Sequence, residues 1–399
     1  MKIGIINTGG TISCVGKPLA PMSAEAFAAA CKKLLDGILQ QQFPKLTTHY
    51  VTDLPFPNSD TKTLDSTNLQ PTDWCLIAAY ILKHYASYDG WVILHGTDSM
   101  AFTGTALPFL LSSFSAKGLP LAALSKPIII TGSQVPLFHQ ESAQAPLTLN
   151  FNTDALQNIC GAIAAAQMKI PEVCVYFNNR LFRGNRVLKT DANHFDAFSS
   201  PNFLPLGEYG IKFTLNDKLI LPPPERTVSL DEPAVLARAS AQLAQIAAEI
   251  NRWPVMQFNA FPAWYDAKSS TGMIGTLLDA CVEKGIKGLI LESYGTGNFP
   301  SGNPQAPRKG AMYLALKRAN DSGVVIINCT QVLRGEVDSG TYAAGSWLTE
   351  VGALSGVDMT PVAAFAKLMV LLAAANTNGW SLKDVKHLMQ LNLLGEMSL

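Results

Sequence analysis

Along the N-terminal half of the chain, short runs of consecutive apolar residues alternate with stretches whose apolar residues fall three and four apart. The first run is KIGIIN (2–7), followed by a helical pattern in SAEAFAAACKKLLDGIL, for which Ser23 offers an N-cap hydroxyl. From Thr72 onward, Trp74, Ile77, Ala78, Ile81, Leu82 and Tyr85 share one face of a helix. Next come GWVILH (90–95), a helical pattern reaching Leu111, KPIIIT (126–131), a long helical stretch over about 146–166, and VCVYF (173–177). Strands that are apolar on both faces and separated by helices predict a parallel sheet covered by helices on both sides. In such sheets ligands sit beyond the C-terminal ends of the strands. The segments NTGGT, HGTDS and TGSQ each follow a predicted strand directly, so all three are expected to line one edge.

Past about residue 210 the pattern weakens. LILPPPERT (219–227) reads as a proline-marked linker and DEPAVLARASAQLAQIAAEINR (231–252) as an added helix. A second alternating unit follows: PVMQFNAF, a helix near 271–284, GLILE (288–292), a helix near 308–321, VVIINCT (324–330), then helices to the end. The expected architecture is α/β in two domains. The larger N-terminal domain, a mostly parallel sheet flanked by helices, spans 1–215. Residues 216–252 form the linker and inserted helix, and 253–399 a smaller α/β domain.

Composition narrows the function classes. The chain has 399 residues, 48% hydrophobic and 15% charged, enough to bury two cores. Thirty Lys+Arg balance thirty Asp+Glu, which argues against nucleic acid or an anionic membrane as partner and permits self-association. Met1-Lys2 leads straight into a predicted strand, and the late apolar run from Val362 is short and contains Lys367; no signal or spanning segment is expected. Seven scattered cysteines without a CxxC pair read as reduced core thiols in a cytoplasmic protein. Six histidines without HExxH or comparable spacing argue against a metal site.

The candidate chemistry lies at the strand ends. Glycines before Thr11 permit a tight turn and close backbone approach, leaving its hydroxyl at the ligand edge. A structural turn and a phosphate site are the competing readings, and neither GxGxxG nor GxxxxGK[ST] is present to favour the latter. HGTDSM repeats the arrangement with Thr97 and Asp98, although Asp98-Ser99 taken alone reads as an N-cap pair for the next helix. Two Gly-Thr segments at one sheet edge suggest a hydroxyl nucleophile with a charged helper. LDSTN adds Ser66 and Thr67, which alone read as a structural loop. In RLFRGNRVLKTDANHFDAF, three arginines and Lys189 surround Gly184; this is a solvated charged face, or it supplies an amine that activates a hydroxyl. No Ser-His-Asp arrangement is legible.

Taken together, TGGTIS, HGTDSM and the Lys189 segment resemble the bacterial-type L-asparaginases. LDSTN, VILHGTDSMAFTG, KPIIITGSQVPL, YFNNRLFRGNR, SYGTGN and INCTQ are most similar to the type I, cytoplasmic branch. The likeness runs from Lys2 to about Gly210 and from about Pro254 to Glu396. It implies hydrolysis of L-asparagine to L-aspartate and ammonia, with Thr11 as nucleophile and an acyl-enzyme intermediate. Thr97, Asp98 and Lys189 would form the proton relay. Asp98 would also hold the substrate α-ammonium and Ser66 its α-carboxylate, with Thr67 close by and Gly10 clearing space. Backbone N–H groups of Thr97 and Ser133 would stabilise the oxyanion. The resemblance further implies no metal or organic cofactor, a cytoplasmic location and a homodimer or homotetramer.

L-glutamine stays open as a substrate, because one methylene is worth only about 1–3 kcal/mol in a pocket. Two positions depart from the family pattern. In the loop CVGKPLAPMSAE, Leu19 stands where relatives carry a tyrosine bonded to the nucleophile. Glu292 replaces an arginine that some type I members use in a regulatory asparagine site, so no such site is expected here. A non-catalytic amino-acid-binding protein is the alternative that Leu19 favours and the intact Thr11, Thr97, Asp98 and Lys189 oppose.

Overall fold

In the computed structural model, which describes residues 1–142, 144–338 and 343–398, the apolar runs of the N-terminal half become neighbouring strands. Contacts divide the chain into two units, Met1–Phe114 with Pro120–Ala244, and Ser115–Leu119 with Gln245–Leu399. The first unit begins with β1 (Lys2–Asn7), a small hairpin of β2 (Cys14–Val15) and β3 (Ala20–Pro21), and helices α1 (Ala24–Leu34) and α2 (Asp36–Gln42). Ser23 caps α1 as expected, accepting from the Ala26 N–H at 3.2 Å. β4 (Thr47–Val51), α3 (Pro71–Lys83), β5 (Gly90–Leu94), α4 (Met100–Leu110), β6 (Ile128–Thr131) and α5 (Ala155–Gln167) follow. The unit continues through β7 (Val173–Phe177), β8 (Arg180–Arg183), the pair β9 (Leu188–Lys189) and β10 (Phe198–Ser199), β11 (Gly207–Tyr209) and β12 (Phe213–Leu215), and its division from the second unit falls within α6 (Pro233–Glu249).

The eight-stranded sheet has the order β12-β11-β8-β7-β6-β5-β1-β4. Its strands from β7 to β4 are parallel, whereas β8, β11 and β12 extend it antiparallel. The sheet is therefore mixed. All five residues of β5 are buried, as a central strand covered on both faces requires. Gly4 makes room for the Trp91 ring opposite it, since a Cβ there would lie 2.5 Å from the ring carbons.

Two local readings change. The helix expected over 146–166 starts only at Ala155, and Thr148–Leu149 pairs instead with Phe138–His139. Asn150 and Thr153 donate side-chain hydrogen bonds to the Pro136 and Val135 carbonyls, the kind of local polar bonding that competes with helix. The arginine cluster is also only partly a solvated face: Arg180 is exposed, whereas Arg183 and Arg186 are buried. The Arg183 guanidinium pairs with buried Glu172 at 2.6 Å and donates to the Leu219 carbonyl at 2.6 Å. The added helix is α6, continued by one 3-10 turn at Ile250–Arg252.

The second unit is built on a parallel sheet of β13 (Val255–Asn259), β14 (Gly288–Ser293), β15 (Val325–Thr330) and β16 (Leu354–Ser355), in that order. Its helices include α7 (Met273–Glu283), α8 (Ala311–Asp321), α9 (Pro361–Asn378) and α10 (Leu382–Met389). Alternate strand residues feed two clusters: Leu289, Leu291 and Ile326 pack with Leu278 and Leu316, and Ile290, Val325 and Ile327 with Leu368 and Leu372. By length and composition α9 is apolar enough to cross a membrane, but 72% of it is buried inside this structure. Lys367 on α9 is fully buried and pairs with Glu396 at 2.5 Å.

Candidate active site

β1 and β5 run side by side with Asn7 opposite Leu94, so their chains leave the sheet at the same level. The glycines of NTGGT and HGT make this crossing possible. Gly10 adopts φ +78° and ψ −179°, and a Cβ there would come within 2.2 Å of the Gly96 Cα. A Cβ on Gly96 would in turn lie 2.4 Å from the Ser66 hydroxyl. Three separate segments thus touch through glycine, and each contact lies at or beside a candidate: Thr11, Ser66 and Thr97. The Gly10 carbonyl receives the Ser13 N–H at 3.0 Å, the Ser13 hydroxyl at 3.2 Å and the Cys14 thiol at 3.2 Å. Those bonds start the single 3-10 turn Thr11–Ser13, with Thr11 half-buried at its first position. Burial, reinforced by Asp65, pushes the Cys14 thiol up to about 11, so it stays protonated beside this turn.

Lys189 reaches the same edge from β9. Its Nζ lies 2.8 Å from Thr97 Oγ1 and 2.7 Å from Asp98 Oδ1. Thr97 is buried, while the Asp98 side chain is 58% exposed and so presents carboxylate surface beyond its bond to Lys189. Asp98 and Ser99 do not cap the next helix. Ser99 occupies the N-cap position of α4 without a capping bond, and its hydroxyl donates to the Ser66 carbonyl at 2.6 Å. The neighbouring loop is thereby tied to the HGTDS segment. Thr67 is exposed, and its N–H and hydroxyl both donate to Asp65 Oδ1 at 3.0 Å. Ser133 is buried and donates its hydroxyl to the Val135 carbonyl at 2.6 Å. Among the described residues, the backbone N–H groups of Thr97 and Ser133 have no hydrogen-bond partner.

Three residues at this edge were not singled out from sequence. His95, fully buried, places Nδ1 2.7 Å from the Gly96 carbonyl and Nε2 2.8 Å from the Thr103 hydroxyl. A carbonyl only accepts, so Nδ1 carries the proton and Nε2 accepts from Thr103. Burial lowers the ring's pKa to about 4, and His95 acts as a neutral strut under Gly96. Gln134 sets its Oε1 3.5 Å from the Thr97 hydroxyl and donates from Nε2 to the His194 carbonyl at 3.2 Å. Asp154, beside α5, accepts from the Gln134 and Val135 N–H groups. Leu19, at 57% exposure, lies on the β2–β3 connection. Among the described residues, no group of three His, Cys, Asp or Glu side chains is placed to hold a metal ion.

The site thus gathers a strand-end threonine hydroxyl, an amine and a carboxylate at one edge of a mixed sheet. Residues 2–221 match the family model described as "Asparaginase, N-terminal", and residues 267–389 match "Glutaminase/Asparaginase C-terminal domain". The chain belongs to the asparaginase family and is an amidohydrolase. It is 33% identical over 398 residues to L-asparaginase 1 of Escherichia coli (strain K12), covering 100% of this chain and 98% of that protein. It is 35% identical over 337 residues to the 60 kDa lysophospholipase of Mus musculus, covering 84% of this chain and 50% of that one. The solved structure of L-asparaginase I from Vibrio cholerae superposes with a TM-score of 0.72 at 32% identity, covering 100% and 99% of the two chains.

Proposed function

We propose that this enzyme hydrolyses L-asparagine to L-aspartate and ammonia through a threonine acyl-enzyme. The observation that carries this reading is Lys189 Nζ, 2.8 Å from Thr97 Oγ1 and 2.7 Å from Asp98 Oδ1 at the strand edge that also presents Thr11. Thr11 Oγ1 bonds to the carbon of the side-chain amide. Its proton passes through Thr97 to Lys189 and on to the departing nitrogen, so ammonia leaves and an ester remains. The N–H groups of Thr97 and Ser133 face the developing oxyanion; donors of this kind contribute about 3–4 kcal/mol each. Water then cleaves the ester by the same relay. The exposed part of the Asp98 carboxylate takes the α-ammonium and Ser66 the α-carboxylate. These two anchors hold the amide carbon against Thr11. The same reading makes the enzyme a cytoplasmic homodimer or homotetramer.

Ammonia release from L-asparagine and L-glutamine, compared between the wild type and Thr11→Val, tests the proposal. Release from asparagine that vanishes in the variant supports it and shows that Leu19 is tolerated at the loop position. Faster release from glutamine reassigns the substrate. A folded protein that binds asparagine without releasing ammonia is a binding protein.

A further inference from the structure

The turn after β6 is held by side chains that take no part in the relay. Asp154 occupies the N-cap position of α5, where an aspartate ordinarily accepts from its own helix. Here it makes no capping bond to the backbone of that helix. Its carboxylate reaches across to accept the Gln134 N–H at 3.0 Å and the Val135 N–H at 3.1 Å. Thr153 takes over the capping, accepting from the Ala155 N–H at 3.0 Å while donating to the Val135 carbonyl at 2.9 Å. Asn158, one turn into α5, donates to the Gly132 carbonyl at 2.9 Å and to Asp154 Oδ2 at 3.2 Å. The peptides on both sides of Ser133 are therefore gripped, Gly132 by its carbonyl and Gln134 by its amide.

We propose that Asp154, supported by Asn158, is a positioning residue for the reaction: it fixes the turn Gly132–Val135 so that the Ser133 N–H points at the developing oxyanion. The inference rests on the reading of the site given above. Asp154 occupies the Gln134 and Val135 N–H groups and leaves the Ser133 N–H for substrate. Asp154 is 6% exposed, and a carboxylate withdrawn from water this far persists only where donors surround it. Burial raises its pKa even against the backbone donors. The adjacent α5 N-terminus adds a favourable field for the anion.

An oxyanion donor acts on the transition state more than on bound substrate, so loosening it lowers kcat and spares KM. In Asp154→Ala, kcat for asparagine falls about 100-fold with KM held within about threefold, the loss typical of a displacement near 1 Å. Asp154→Asn keeps one acceptor oxygen and recovers part of that loss. A merely structural role predicts a lowered melting temperature with unchanged kcat in the folded protein. Folded Asp154→Ala with kcat within threefold of wild type, or with its loss confined to KM, overturns the proposal. If Asp154→Ala does not fold, Asp154→Asn is judged by the same criterion. Thr11→Val is assayed alongside. If it keeps full activity, the reading of the site fails and takes the oxyanion role with it. If it is inactive while Asp154→Ala is not impaired, only the positioning role fails.

Discussion

Acidification should remove stability from this fold through His95. The ring is fully buried, donates from Nδ1 to the Gly96 carbonyl and accepts at Nε2 from Thr103, so a second proton would displace an existing bond in a place without water. Burial lowers its pKa from 6.5 to about 4. Between those values the unfolded chain binds the proton and the folded chain does not. The contribution is therefore complete above pH 6.5 and is lost as pH falls toward 4. At about 1.4 kcal/mol for each tenfold step, the ceiling is about 3 kcal/mol, of which about 2 kcal/mol is gone by pH 5. Urea unfolding at pH 7.5 and pH 5.0, for wild type and His95→Gln, isolates the effect, because all other titrating groups are common to both proteins. The wild type is expected to lose about 2 kcal/mol more than the variant over that interval. Equal losses in the two proteins, or a His95 ring seen by NMR to titrate near 6.5, would refute the reasoning.

Four further outcomes are expected. Gly10→Ala places a Cβ 2.2 Å from the Gly96 backbone at φ +78°; backbone strain of about 1–3 kcal/mol and a drop in kcat/KM of about 100-fold or more follow, read by thermal melting and ammonia release. Lys189→Arg replaces an amine that can take up and release a proton by a guanidinium that stays protonated, so steady-state kinetics should show kcat reduced about 10²- to 10⁴-fold with KM little changed. Lys367→Met strands Glu396 without its partner in the second unit and should destabilise that unit by about 3–5 kcal/mol in denaturant unfolding. Glu292, half-buried at the end of β14 with its pKa raised by burial, repels an α-carboxylate; asparagine saturation should be hyperbolic, and equilibrium dialysis should find one class of site per chain.

The α/β class was legible because the central strands are buried on both faces, which writes uninterrupted apolar runs such as WVIL and IIIT into the chain. The antiparallel extension was not. Strands β8, β11 and β12 are short, and RLFR carries Arg183, whose burial depends on Glu172 and the Leu219 carbonyl, partners outside that segment. The early start assigned to α5 failed for a similar reason, since Asn150 and Thr153 bond to backbone of a preceding turn.

At the site, sequence alone determined that Thr11, Thr97 and Ser133 follow strands and belong to one sheet edge, because strand and turn signals are local and periodic; that the three strands are neighbours was decided by the tertiary structure. Only the tertiary structure decided that Gly10 meets Gly96 and that Lys189 lies 2.8 Å from a threonine 92 positions earlier. His95 and Asp154 belong to that second category. Their partners are largely backbone groups placed by the closing of the sheet, and a backbone acceptor or donor is the same at every position, so it leaves no mark in the order of side chains.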